Sequence, residues 1–254
     1  MNKRWYIVLV VTLFNLLAEY SLRGFANLRL IPILPLGLFL NYFPFFALME
    51  DFIGRYRLRD YQAYVAALFF GLLWMLLGPT VVYLGGINWA ALVFVNVVWW
   101  TSLQTILGFY IATQIVPRTS WEPLLDRRGR IIMMALFVAA TLIFRFAVSF
   151  PMLVVYQILL IGGLTAGAWL LFKRMLPAAQ QPVPHYSKNR LMDVVSMVTV
   201  AFLIYLAGFV PQSQDVSYVT LLNMNALRPL VTGSIVIFFF VLGYRLITRR
   251  PIPV

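Results

Sequence analysis

Eight long apolar runs, separated by short charged or turn-forming segments, make up most of the chain and restrict it to a membrane. The runs cover residues 5–22, 30–49, 62–84, 88–112, 131–149, 151–172, 191–210 and 229–247. Each is close to the ~20 residues that a helix needs to cross a bilayer. The sequence therefore predicts an all-α integral membrane protein, a polytopic bundle of about eight transmembrane helices.

Basic residues indicate the orientation of these runs. If the chain starts in the cytoplasm and crosses eight times, sixteen of its 20 lysines and arginines lie on the inner side. Arg23, Arg29 and Arg228 then lie outside, and Arg145 lies within a run. Because cytoplasmic loops carry an excess of lysine and arginine, this distribution predicts that both termini are cytoplasmic.

The composition is that of a chain whose solvent is mostly lipid. It is 62% hydrophobic and 11% charged, whereas soluble domains have roughly a quarter of their residues charged. The net charge of +12 falls mainly on the inner face, where it complements anionic lipid head groups. No basic run is interleaved with aromatic residues in a polar segment, as a nucleic-acid groove requires. We expect as partners the bilayer, with its anionic inner-leaflet head groups, and other membrane proteins, but no nucleic acid.

The residues that carry most covalent and metal chemistry are scarce. The chain has no cysteine, and its single histidine, His185, lies in a proline-rich segment outside the apolar runs. A thiolate site, a Ser-His triad, a multi-histidine metal site and a histidine-ligated haem therefore each lack their central residue. We expect no catalytic residues, no metal site and no cofactor.

A proline-rich segment divides the membrane region. Residues 177–190 contain three prolines and predict a flexible cytoplasmic linker. The linker separates a six-helix region, 1–176, from a final two-helix region, 191–254, within one membrane domain. The first apolar run follows Lys3 and Arg4 as in a signal peptide, but no small-residue cleavage pattern follows it, so we expect an uncleaved span. The expected location is the plasma membrane of a bacterium or archaeon.

Two charges lie at a similar depth in separate runs. Glu19 is about fourteen residues beyond the start of the first run, and Arg145 is about fourteen beyond the start of the fifth. Both runs go from inside to outside, so a rise of roughly 1.5 Å per residue places the two charges level. Since an unpaired charge in lipid costs several kcal/mol, they are candidates for an intramembrane polar pair beside an outward-facing pocket. The alternatives are a packing pair between spans, or a local pair of Glu19 with Arg23.

The fourth run is unusually polar. Asn96, Thr101 and Gln104 fall within a broad arc of the predicted helix, which indicates that this face contacts other helices or lines a substrate path. The sequence Gly163-x-x-x-Gly167 in the sixth run is a close-packing motif.

Charged residues with motif-like spacing follow the second run. The sequence Glu50-Asp51-Phe-Ile-Gly-Arg55 is followed by Phe-Gly-Leu-Leu-Trp74 and then by Gly78-Pro. These residues resemble the first two motifs of the CPBP (CAAX-protease and bacteriocin-processing) membrane family. The resemblance implies a Glu-Glu-x-x-x-Arg helix, a helix that carries a histidine, and a later His-x-x-x-Asn.

The match to this family is confined to the first motif. Glu50, Asp51 and Arg55 agree in position and type, but Trp74 or Gly78 stands where the first histidine belongs. The second histidine has no candidate. The alternative is an interfacial cluster of Glu50, Asp51 and Arg55 that forms a salt-bridged turn at the end of the second span.

Three classes of function follow from these observations. The first is a non-catalytic polytopic protein that serves as a subunit or scaffold of a membrane assembly. The second is a transporter or lipid-handling protein with a polar outer-leaflet site, and the third is a degenerate CPBP-like intramembrane protease relative without the catalytic histidines. The missing histidines count against the third class, and the lack of internal repeats counts against an ion-coupled transporter. We therefore expect the first class.

Overall fold

The computed structural model describes residues 3–78, 88–118, 120–147, 155–176, 189–212, 222–248 and 252–254. Within them, all regular secondary structure is helical. The helices are α1 (Arg4–Arg23), α2 (Asn27–Leu30), α3 (Leu34–Tyr56), α4 (Asp60–Leu77), α5 (Trp89–Val93), α6 (Gly108–Ile115), α7 (Arg127–Ala147), α8 (Val155–Met175), α9 (Arg190–Phe209) and α10 (Met224–Thr248). A π-helical segment, Phe94–Leu107, joins α5 to α6.

Seven helical stretches of the described residues are long and apolar enough to cross a membrane. They are α1, α3, α4, the continuous stretch Trp89–Ile115, α8, α9 and α10. Helix α7 is also 21 residues long, and it coincides with the fifth apolar run. The predicted all-α, multi-pass membrane bundle is thus confirmed, while the count of eight spans and the cytoplasmic termini stay predictions.

The prolines near the second apolar run set the start of α3. The short helix α2 ends at Leu30, and α3 begins at Leu34 with Pro35 in its first turn, where the missing N–H needs no partner. At the other end, α3 continues to Tyr56 and does not stop at the end of the apolar run, 30–49. Glu50 therefore lies within α3. Arginines from other segments compensate its charge there.

The two ends of the bundle differ in charge. One end of the bundle, which we call the basic end, contains the first residues of α1, α4, α7 and α9 and the last residues of α3, α6, α8 and α10. Side-chain contacts join these termini: Arg4 with Glu50, Tyr110 with Asp193, and Gln62 of α4 with the last residue of α8 at 2.9 Å. Because each contact joins the start of one helix to the end of another, the two helices of each of these pairs run antiparallel.

Helix packing places α1 and α3 at the centre. α1 packs against α3, α6, α9 and α10, while α3 also packs against α7, and α4 packs against α8 and the π-helical segment. The core between them is aromatic and includes Phe45, Phe70, Trp100 and Phe137, with ring centroids 4.8–6.1 Å apart. The final helix pair is thus in contact with the first region; of the predicted linker 177–190, residues 177–188 lie outside the described residues.

Candidate functional site

The charged cluster at the basic end is centred on Glu50. Its Oε1 accepts hydrogen bonds from Arg4 Nε at 2.6 Å and from Arg118 Nε at 3.1 Å, and its Oε2 is bound by the Arg118 guanidinium. Arg4 also donates to the Glu50 backbone carbonyl at 2.6 Å and to the Glu122 carbonyl. Arg4 and Glu50 are completely buried. This carboxylate is therefore held by two arginines from distant segments of the chain.

Gly54 makes room for this cluster. It lies one turn after Glu50 in α3, and a Cβ atom at this position would overlap the Arg4 guanidinium and the Glu122 carbonyl. The glycine in Glu-Asp-Phe-Ile-Gly-Arg is therefore needed because Arg4 approaches the α3 backbone closely at this point.

Asp51 and Arg55 fasten the loop that follows α6. They form an ion pair one helical turn apart, with Arg55 Nε 3.0 Å from Asp51 Oδ2. Asp51 Oδ1 accepts the Leu125 backbone N–H at 2.8 Å, and Arg55 donates to the Leu125 carbonyl at 2.6 Å. The structure thus brings Glu50, Asp51 and Arg55 together, and each holds another part of the chain in place.

The positions that correspond to the missing histidine are packed. Trp74 stacks on Trp100 with ring centroids 5.7 Å apart, and Gly78 lies beside the Thr141 side chain. Neither position carries a group that transfers a proton. No known protein family, curated protein or solved structure matches the chain. The resemblance to the CPBP family therefore depends on Glu50, Asp51 and Arg55 alone.

Residues 252–254 bind back onto the basic end. The Ile252 N–H donates to Asp60 Oδ2 at 3.0 Å, and the Val254 carbonyl accepts from Arg118. Asp60 Oδ2 also pairs with Arg245 Nε at 2.6 Å. This tail thereby connects the start of α4, the end of α10 and the Glu50 cluster.

An apolar cavity of about 300 Å³ opens beside this tail, between α4, the π-helical segment, the end of α8 and α10. Asp60 and Arg245 lie at its basic end, and the remaining walls are mainly hydrophobic. Those walls include Tyr64, Val65, Ile106, Phe238 and Val241. Asp60 and Arg245 were not predicted from the sequence as a pair, although the predicted topology places both on the same side of the membrane.

Glu19 belongs to a second polar network, nearer the opposite end. It pairs with Arg23 at 3.0 Å and accepts a hydrogen bond from the Tyr42 hydroxyl. Gln104 Nε2 donates to that hydroxyl at 3.3 Å, which links α1, α3 and the π-helical segment. The Arg145 side chain lies outside the described residues, so the pairing of Glu19 with Arg145 stays a prediction.

The predicted polar face, Asn96, Thr101 and Gln104, lies on the π-helical segment, and all three residues are buried. They have different partners. Asn96 donates to Met75 Sδ on α4 at 2.8 Å, Thr101 bonds the Asn96 carbonyl in its own helix, and Gln104 contacts Tyr42. Only Gln104 joins the network of Glu19. Asn96 and Gln104 therefore connect helices, whereas Thr101 bonds within its own helix.

Proposed function

We propose that this protein is a non-catalytic lipid-binding bundle whose ligand is an anionic lipid in the cavity between α4, the π-helical segment and α10. The observation that carries the proposal is an apolar cavity that ends at an arginine with unused donors. Within the described residues, Arg245 bonds Asp60 through Nε, which leaves both terminal amino groups available. A planar guanidinium with two free amino groups matches the geometry of a phosphate.

The charges around the cavity favour an anionic head group. Lys173 and Arg174 occupy the last turn of α8, directly before Met175, which lines the cavity. With Arg245 they make three basic residues in or next to this part of the cavity lining, compared with one carboxylate, that of Asp60. Under the predicted topology, this end faces the anionic inner leaflet of a bacterial or archaeal plasma membrane.

The walls of the cavity favour hydrocarbon. Tyr64 and Ser102 are its polar members away from the charged end, and both hydroxyls donate to the Val97 carbonyl, at 3.1 and 2.7 Å. Because these donors are already used, the wall offers mainly apolar contact to a ligand. An acyl chain is already in an apolar medium in the bilayer, so the wall accommodates it by packing, and the charged end of the cavity supplies the preference for one head group.

Filling the cavity tests the proposal. Val241 lines it and is 7% exposed, whereas Val236, on the same helix, is 49% exposed. We expect the native protein, purified in mild detergent, to retain a phospholipid in native mass spectrometry. Val241→Trp should lose this lipid and Val236→Trp should keep it. Equal lipid retention by Val241→Trp and the native protein would exclude the cavity as the site.

The head-group contact has its own test. Arg245→Gln should weaken binding of phosphatidylglycerol about tenfold, because a hydrogen bond to a charged group is worth about 1.5–3 kcal/mol. It should change binding of diacylglycerol, which has no phosphate, less. Arg128→Gln, at an exposed arginine of α7, is the matched control and should bind both lipids as the native protein does.

A second candidate function, a subunit or scaffold of a membrane assembly, is supported by α8. Gly163 and Gly167 are exposed on this helix, and a Cβ atom at either would meet no atom within 4 Å. Small residues at this spacing let another helix approach closely. We expect Ala166→Cys on this face to give a cross-linked protein pair in native membranes, and Val198→Cys on α9 to stay monomeric. A monomer at both positions would count against the scaffold.

A further inference from the structure

A groove of about 600 Å³ lies between α6 and α9 at the basic end. Both helices pack against α1, and the groove separates them. Where the groove reaches the basic end of the bundle, its lining is polar and consists of Tyr110, Gln114, Asp193 and Ser196. Farther from that end, Val200 and Ile204 of α9 form an apolar wall. The groove is therefore amphipathic along its length, as the site of a lipid or another amphiphile is. None of these residues belongs to the cavity of the proposed function.

Asp193 differs from the buried carboxylates of the bundle in its partners. Glu19, Glu50, Asp51 and Asp60 each have an arginine within 4 Å. In the part of the chain that the structure describes, Asp193 has no basic side chain within that distance, and it accepts one hydrogen bond, from the Tyr110 hydroxyl at 2.6 Å. A half-buried carboxylate without a cation favours a positively charged ligand.

A second group in the groove lacks a partner. Ser196 lies one turn beyond Asp193 on α9, is 8% exposed, and its buried Oγ has no hydrogen-bond partner among the described residues. Leaving such a group unpaired is unfavourable, so a ligand that donates a hydrogen bond to Ser196 is favoured. Gln114 supplies a further carboxamide from the opposite wall.

The position of Asp193 in the first turn of α9 adds an opposing field. The start of a helix carries about half a positive charge, which stabilises Asp193 but does not neutralise its full negative charge. The Asp193 carboxylate thus keeps most of its negative charge, which a cation complements better than an anion does.

We infer that this groove binds an aminophospholipid through the primary ammonium of its head group. An ammonium has three N–H donors, which match the carboxylate of Asp193, the hydroxyl of Ser196 and the carboxamide oxygen of Gln114. An acyl chain of the same lipid lies along Val200 and Ile204. A quaternary ammonium has the same charge but no N–H, and it cannot make these bonds.

Competition between two lipids with identical acyl chains tests this inference. We expect the protein, in detergent, to bind phosphatidylethanolamine about tenfold more tightly than phosphatidylcholine by native mass spectrometry, since a tenfold ratio corresponds to the loss of about one hydrogen bond. Asp193→Asn keeps an acceptor for Tyr110 but replaces the charged acceptor of the ammonium by a neutral one, and should reduce the ratio to a few-fold, because hydrogen bonds to charged groups are about twice as strong. Asp126→Asn, which keeps the acceptor for the Gly129 N–H, is the control and should retain the preference.

Three further variants separate the inference from folding defects and from the first cavity. Val200→Trp fills the groove and should abolish binding of phosphatidylethanolamine, whereas Val198→Trp, at an exposed position of the same helix, should not. Val241→Trp should leave the preference between the two lipids unchanged, so the two sites can fail separately. Equal binding of both lipids by the native protein, or an unchanged preference in Asp193→Asn, would overturn the inference.

Discussion

Arg4 and Glu50 are 46 positions apart in the sequence, and the arginine binds both the side chain and the backbone carbonyl of the glutamate, each at 2.6 Å. The contact joins the start of α1 to the last turns of α3, and both residues are completely buried. Burying a charge is costly unless it is paired and hydrogen-bonded. The stability of the basic end therefore depends on keeping this cluster complete.

The cluster contains two arginines for one glutamate, so its members should not be equally sensitive to mutation. Glu50→Gln leaves Arg4 and Arg118 without their shared anion and should destabilise the protein by about 3–5 kcal/mol. Arg4→Gln leaves Glu50 paired with Arg118 and should cost about 1.5–3 kcal/mol. Thermal unfolding in detergent measures the order, with the exposed Glu122→Gln as a neutral control. A larger loss in Arg4→Gln than in Glu50→Gln would contradict this ranking.

Substitution by alanine should change the stability of the protein in opposite directions at two glycines of α3, Gly54 and Gly37. A Cβ atom at Gly54 would overlap the Arg4 guanidinium, whereas one at Gly37 would meet nothing within 4 Å. Gly37→Ala should be neutral or stabilise the helix by up to about 1 kcal/mol. Gly54→Ala should lower the melting temperature, because it displaces Arg4 from Glu50. If both variants melt at the same temperature, Arg4 does not approach the α3 backbone as described.

Double-mutant cycles separate the partners of Glu19. The contact with Arg23 predicts a coupling energy of about 0.5–3 kcal/mol between Glu19→Gln and Arg23→Gln. The matching depth of Arg145 predicts that Glu19→Gln and Arg145→Gln each reduce thermal stability in detergent and that the double variant partly recovers. Additive losses in the second cycle, with coupling in the first, would show that Arg23 is the partner of Glu19 and Arg145 is not.

Accessibility measurements test the membrane topology. Because the chain has no cysteine, single cysteines at Ser187 and at Thr248 can be labelled without a background reaction. The alternation of basic residues predicts that both lie in the cytoplasm and react only after the inner face is opened. A cysteine placed at Arg228 should react from outside. Labelling of position 187 or 248 in intact cells would refute the eight-span topology.

Local sequence properties were enough to predict long apolar helices. Hydrophobicity over about twenty residues predicts these helices, and the position of Pro35 in the first turn of α3 follows from its missing N–H. The extension of α3 to Tyr56 was not predicted. A hydrophobic run is taken to end at its first charged residue, here Glu50, unless the residue that neutralises this charge is known. That partner, Arg4, belongs to another helix.

The π-helical segment was also invisible in the sequence. Its side chains bond carbonyls five residues back, as Ser102 does with Val97 at 2.7 Å and Thr105 with Trp100 at 2.8 Å. Because this repeat differs from the α-helical one, the α-helical repeat does not give the relative directions of Asn96 and Gln104. Stretches of π-helix are rare and depend on packing more than on local preference.

The sequence by itself determined that the chain is a multi-pass helical membrane protein, because span length and apolar composition are local properties. Only the tertiary structure decided which charges meet: Glu50 with Arg4 and Arg118, Asp60 with Arg245, and Asp193 with no cation among the described residues. These contacts join residues that are distant in the chain. They depend on which helices pack together and at what rotation, and the arrangement of apolar and basic residues along a chain does not specify either.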